Sequence, residues 1–382
     1  MPGKTLKATA VLIGTTVGAG IFGLPFAVVQ VGFAAGIIYL LALGALVLLL
    51  NLIYGEVILR TPGDHQLTGY GEIYFGRWGK LVATASLLIG IYGALWAYLL
   101  KIGGFLALFS PPVGGQAISF SPTLFSLGFF CLASLAILIG LRAVSLLEVI
   151  LVSLMLLFIF ILATVGLPHL SLANYSLIAS PYSLNALFFP YGIILFTLTG
   201  FSAIPEMEEV LRHQHGQLKR AVISGTIIPI LVYLIFVFVI VGISGGQTSE
   251  DAISSLVMFL PSWVVKLGAG LGILTMSTSF LSLGYVLREV WFRDFRLPRP
   301  AALTLALLPL LLLFLLGTKN FLLILEYTGA ITGGLSGLLI VALFLKAKSA
   351  GQQTPAYRLN VPKIILGILG IIFILGMFSP LV

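Results

Sequence analysis

The run Val17-Gly-Ala-Gly-Ile-Phe-Gly-Leu-Pro25 contains Gly18-x-Gly20-x-x-Gly23, the spacing of a dinucleotide-binding loop. That chemistry needs a strand before the glycines and an acidic residue about 20 positions after them to hold the ribose. Here Ala8–Ile13 runs straight into a long apolar stretch, and the next acid after Gly23 is Glu56. The nucleotide reading fails. His213-x-His215 offers two metal ligands and no third nearby, so it reads as solvated loop. No nucleophile, base and orienting acid stand at hydrolase spacing, and no G-x-x-x-x-G-K-S/T loop is present for nucleotide hydrolysis. The expectation is a protein that is not an enzyme, has no catalytic residue and needs no organic cofactor. Two carboxylates stand out. Glu56 precedes Arg60 by four residues and is expected to form a surface i, i+4 pair. Glu326 lies some six residues inside one end of an apolar run, where an ionisable side chain is a functional candidate by default.

The elements that position these residues follow from composition. Of 382 residues, 59% are hydrophobic and only 8% charged, too few charges to cover a soluble surface. A membrane-spanning helix needs about 20 mainly apolar residues. Apolar runs bounded by Gly, Pro or charge predict eleven spans near 8–32, 34–59, 79–108, 122–140, 143–167, 186–211, 219–242, 262–288, 301–316, 320–345 and 362–380. Residues 60–80, the longest connection, are expected to lie along the membrane interface. With the amino terminus in the cytoplasm, only Lys101, Lys266 and Lys319 of the 20 Lys and Arg fall outside. The net charge of +8 is therefore mostly the positive-inside signal, and it places the carboxyl terminus outside. Nucleic acid is not an implied partner, and no obligate protein partner is evident. The single cysteine, Cys131, is expected to be a small buried hydrophobe.

An internal repeat organises the spans. Gly20-Ile-Phe-Gly-Leu-Pro25 matches Gly200-Phe-Ser-Ala-Ile-Pro205 at an offset of 180, and the same offset carries spans two to five onto seven to ten. Five helices is an odd number, so the second copy enters the membrane from the other side. The expected fold is all-α, an inverted repeat of five plus five helices. Its core is 1–345 (copies 8–167 and 186–345), followed by a linker and helix eleven in 346–382. Glycine weakens a helix by roughly 1 kcal/mol relative to alanine. Gly18, Gly20 and Gly23 in one copy, and Thr197-Leu-Thr-Gly-Phe-Ser202 before Pro205 in the other, predict discontinuous helices one and six. A break in lipid must line a cavity. Amides at a half-helix amino end attract a carboxylate and carbonyls at a carboxyl end attract a cation, so a zwitterion suits the pair.

At these residues the chain resembles amino-acid permeases of the amino acid–polyamine–organocation superfamily, which have the leucine-transporter fold. Gly14-Thr-Thr-Val-Gly-Ala-Gly-Ile-Phe-Gly-Leu-Pro25 is most similar to bacterial aromatic amino-acid (tryptophan and tyrosine) permeases and to the amino acid/auxin permease group. The resemblance implies secondary active symport of a neutral, aromatic or large apolar amino acid across the cytoplasmic membrane by alternating access. An exchanger of the same superfamily is the alternative, and a channel a more distant one. Val17 and the amides of Gly18, Ala19 and Gly20 would take the carboxylate, and carbonyls near Phe196, Thr197 and Thr199 the amino group. Phe22, Phe201, Tyr92 and, less firmly, Trp96 would surround the side chain. A sodium site would join carbonyls of Gly14 and Val17 to hydroxyls among Thr275, Thr278 and Ser279, sodium being the only metal implied. Glu326 would gate or carry a proton, with Lys101 as its partner. The coupling ion is open between proton and sodium.

Overall fold

A computed structural model of the protein describes residues 2–110, 121–139, 145–176 and 184–381. Among them the chain is helical: α1 Pro2–Thr16, α2 Gly20–Val31, α3 Phe33–Arg60, α4 Leu67–Ala107, α5 Pro122–Ile139, α6 Ser145–Gly166 and α7 Leu184–Leu198. After these come α8 Ile204–Val210, α9 Leu218–Ser244, α10 Ser262–Glu289, α11 Arg299–Leu316, α12 Phe321–Ala350 and α13 Lys363–Met377. Among the described residues eight helices are long and apolar enough to cross a membrane, with 188–210 counted as one, and nine if the bent α1–α2 pair is a single span. The expected eleven is not reached by this measure. At spans five and eleven the apolar stretches are the shorter Ser153–His169 and Lys363–Met377. Fifteen residues rise about 22 Å, short of a hydrocarbon core of about 30 Å. The expected joins near 140–144 and 177–183 lie outside the described residues.

Local sequence explains the turns that shape the bundle. Gly32 (φ +87°) ends α2 and reverses the chain so tightly that a Cβ on Gly36 would lie 2.8 Å from the Cα of Val28. Gly76 (φ +61°, ψ −144°) splits α4 into a short leg and a long span. Around this kink Ile73, Phe75 and Trp78 are exposed, as suits the interface position expected for residues 60–80.

The helix α12 runs through the middle, against α3, α4 and α7. Small residues permit the approach: a Cβ on Gly329 would strike the Gly192 carbonyl, one on Gly93 would strike Thr328, and one on Gly333 would strike Leu195. Close backbone contact of this kind is how helices gain packing energy in lipid, where burial itself drives little. The bilayer also explains one correction. Cys131 is exposed on α5 beside exposed Leu132 and Leu135, because the apolar face of such a helix points to lipid rather than to a core.

Glu56 is a second correction. It does pair with Arg60 (2.7 and 2.9 Å), but it is fully buried, and its other oxygen accepts from the Leu359 amide at 2.5 Å. Residues 351–362 fold back as a strap over the end of α3. The amides of Gln352 and Gln353 donate to the Arg60 carbonyl (3.0 and 3.1 Å), and the Tyr357 hydroxyl donates to the Leu52 carbonyl (2.7 Å) in the notch left by Gly55. This end of the bundle also holds Arg212, paired with Asp64, and is called the basic side below.

Candidate site at two helix breaks

The first break falls at Val17, Gly18 and Ala19, where the helix axis turns by 60°. Gly18 and Gly20 weaken the coil on both sides of Ala19, and helical bonding resumes only through long bonds from Ile21 N to Gly18 O (3.4 Å) and Phe22 N to Ala19 O (3.2 Å). Among the described residues the amides of Gly18, Ala19 and Gly20 donate to no backbone carbonyl, and the carbonyls of Gly14, Thr15 and Val17 accept from no backbone amide. The second break falls at Thr199 and Gly200, followed by the 3-10 turn Phe201–Ala203. There the carbonyls of Phe196, Leu198 and Thr199 accept from no backbone amide. Unpaired peptide groups at such depth are costly, roughly 1–3 kcal/mol each when nothing replaces the partner.

The two breaks touch. A Cβ on Gly20 would lie 2.5 Å from Thr197 Oγ1 and 2.9 Å from its Cα, and one on Gly200 would strike Thr16. Tyr233 of α9, fully buried, binds them together: its hydroxyl reaches the Thr16 carbonyl at 2.8 Å and the Thr197 carbonyl at 3.2 Å. The Tyr98 hydroxyl of α4 is 3.7 Å from where a Gly18 Cβ would be. Away from the basic side the breaks are sealed. The Phe22 ring is fully buried, edge-on to Phe105 (5.4 Å) and Phe236 (6.4 Å), and Ile21 and Leu24 are buried beside it. Toward the basic side packing thins: Gly18, Thr199 and Phe201 are half-buried, Ser202 is exposed, and a Cβ on Gly14 would meet nothing within 4 Å.

Of the residues expected from sequence, Val17, Gly18, Ala19, Gly20, Phe22, Phe196, Thr197, Thr199 and Phe201 all stand at or beside the breaks. Tyr92 does not. Its hydroxyl donates to the Leu305 carbonyl of α11 and accepts from Trp291 Nε1 at 3.4 Å. With Trp96 it lines an apolar cavity of about 690 Å³ between α4, α11 and α12. The inward face of α4 is the one bearing Leu95, Tyr98, Ile102 and Phe105, all buried. Tyr98 and Tyr233 were missed; neither sits in a motif, and only the helical phase of α4 pointed to Tyr98.

The hydroxyls expected at an ion site bond within their own helix, Thr275 to the carbonyls of Leu271 and Gly272 (2.9 and 3.1 Å) and Thr278 to that of Thr275 (2.9 Å). Ser279 is half-buried on the same helix. Glu326 is buried, and among the described residues its carboxylate makes no hydrogen bond or ion pair. Its expected partner Lys101 pairs instead with Asp251, 3.6 Å away. Near the second break, on the basic side, Glu206 is exposed and His215 Nε2 lies 2.9 Å from Glu208. No group of three or more metal-ligating side chains occurs among the described residues.

Residues 1–380 match the tryptophan/tyrosine permease family. Tyrosine-specific transport system 1 of Haemophilus influenzae is 27% identical over 97% of this chain and 95% of its own length. Glutamine transporter 2 of Aliivibrio fischeri is 24% identical over 63% of this chain and 61% of its own. The crystal structure of MhsT in complex with L-phenylalanine shares the fold, with a TM-score of 0.65 at 17% identity over 98% of each chain.

Proposed function

The chain belongs to the tryptophan/tyrosine permease family and is a multi-pass membrane amino-acid transporter, and we propose that it imports a neutral aromatic or large apolar amino acid across the cytoplasmic membrane by cation symport and alternating access. The observation that carries this is the facing set of unpaired peptide groups at the two breaks. The substrate carboxylate takes the amides of Gly18, Ala19 and Gly20, with the Tyr98 hydroxyl beside it. The ammonium takes the carbonyls of Phe196, Leu198 and Thr199. Each replaces a hydrogen bond that the break removed. The aromatic side chain lies among Phe22, Phe201 and Phe196. The curated relative named for tyrosine and the phenylalanine in the MhsT title support this choice of class.

The basic side is cytoplasmic in this reading, with the amino terminus inside and the carboxyl terminus outside. The conformation is then one closed to the outside, sealed there by Phe22, Phe105 and Phe236. The coupling ion is either a proton on Glu326 or sodium between the carbonyls of Gly14 and Val17 and the hydroxyls of Thr275, Thr278 and Ser279. No organic cofactor enters the cycle. Uptake of radiolabelled tyrosine, tryptophan and phenylalanine into proteoliposomes, under an imposed proton or sodium gradient, tests the proposal. Saturable uptake that one gradient drives is expected. Counterflow without any gradient requirement would replace symport by exchange, and non-saturable flux would mean a channel.

A further inference from the structure

The loop 245–261 between α9 and α10 caps the side opposite the basic one, and its tip is built around one carboxylate. Asp251 Oδ1 accepts from Ser249 Oγ (2.9 Å) and the Ser254 amide (2.9 Å), and Oδ2 accepts from Ser254 Oγ (2.8 Å). The next residue, Ala252, stands at φ +59°, a conformation that costs a non-glycine residue about 1–2 kcal/mol. The Asp251 hydrogen bonds hold that turn. Ala252, Ile253 and Leu256 are thereby driven into the bundle and are fully buried.

Lys101, near the end of α4, reaches this tip. Its ammonium is 3.6 Å from Asp251 Oδ2 and 4.6 Å over the ring of Phe321 at the start of α12. Four residues further along α4, on the same face, Phe105 closes over Phe22. Phe22 is two residues from the free amide of Gly20. One cation thus joins the loop, α4 and α12 directly above the aromatic seal of the cradle.

We propose that the Lys101–Asp251 pair is the latch that keeps the outer loop closed over the substrate path, so that outward opening requires its rupture. The inference rests on the transport reading and its orientation. Both partners are only 13–14% exposed, so each charge depends on the other while the loop is shut. Neutralise one, and the survivor is a largely buried charge without its counter-ion, which reaching water relieves and which favours opening. Burial pushes the Asp251 carboxyl up, but Lys101 and the two serines outweigh it and hold the group below its ordinary value, so the carboxylate keeps its charge at neutral pH.

The test is outside accessibility of a cysteine in place of buried Ser255 (Ser255→Cys in a Cys131→Ser background), labelled by a membrane-impermeant maleimide. Lys101→Met and Asp251→Asn should each raise the labelling rate roughly tenfold, as loss of a closing free energy of about 1.4 kcal/mol requires. The double variant should be no faster than either single one, because both remove the same interaction. Phe321→Leu, which leaves both charges and removes the ring under Lys101, should raise the rate about threefold, and keeps the proposal testable where a charge variant fails to fold. Rates within twofold of the parent in the folded variants, or additive effects, would overturn the latch. The labelling needs no substrate. Latch-dependent rates without amino-acid uptake would fault the transport reading alone, and normal uptake with unchanged rates would fault the latch alone.

Discussion

Tyr233 carries one proton and serves two carbonyls, one at the end of each broken helix. Tyr233→Phe keeps the ring, which is fully buried, and removes only the donor. The Thr16 and Thr197 carbonyls then have nothing to accept from wherever the breaks are pressed together. In conformations that separate them, water can serve instead. An orphaned buried acceptor costs about 1–3 kcal/mol. Charged to the closed, substrate-holding arrangement, that becomes a loss of affinity of roughly 5- to 150-fold, at about 1.4 kcal/mol per factor of ten. Isothermal titration of tyrosine or tryptophan into the purified protein measures it directly. An affinity within twofold of the parent would mean that the Tyr233 bridge does not assemble the site, and the argument from touching breaks would fall.

Gly20→Ala places a methyl 2.5 Å from Thr197 Oγ1 and 2.9 Å from its Cα; overpacking of about 1–3 kcal/mol should lower substrate affinity at least fivefold while the protein still inserts and elutes as a single species. Glu326→Gln should remove the dependence of uptake on external pH, and a pH profile like the parent's would take Glu326 out of the coupling. Glu56→Ala leaves Arg60 and the Leu359 amide without their buried partner, a cost of about 3–5 kcal/mol that should appear as a lower melting temperature and protease cleavage within 351–362. For Asp251 the folded carboxyl lies below its ordinary value of about 3.9, so its contribution to closure is complete above that value and is lost only as pH falls through the lower folded one. Labelling at Ser255→Cys, normalised to a free thiol, should therefore be flat across the neutral range.

The breaks were legible because their cause is local. Three glycines around one turn, and Thr-Gly before Pro205 in the second copy, weaken the coil wherever the rest of the chain goes. The aromatic residues of α4 were not, because sequence gives spacing but not which face points inward. Tyr92 and Trp96 make a good i, i+4 pair, yet the face that turns to the breaks is the one with Tyr98 and Phe105. Glu56 was misread for a different reason: its second partner is 303 residues away, in a linker with no pattern that announces a docking segment. Cys131 fails in a third way, since apolar surroundings mean burial in water and exposure in lipid. Lys101 was expected to pair with Glu326, but several acids were available, and only the folded loop selects Asp251.

The strap limits how far this protein can be cut down. Ending the chain at Ala350 would retain every helix of both repeat copies, yet it would uncover Gly55, take the Leu359 amide from Glu56 and leave the Arg60 carbonyl bare. The portion from α1 to α12 is therefore not a self-sufficient unit. The last helix acts as an anchor: by holding the far end of residues 351–362, α13 keeps a buried carboxylate dry at the opposite end of the chain.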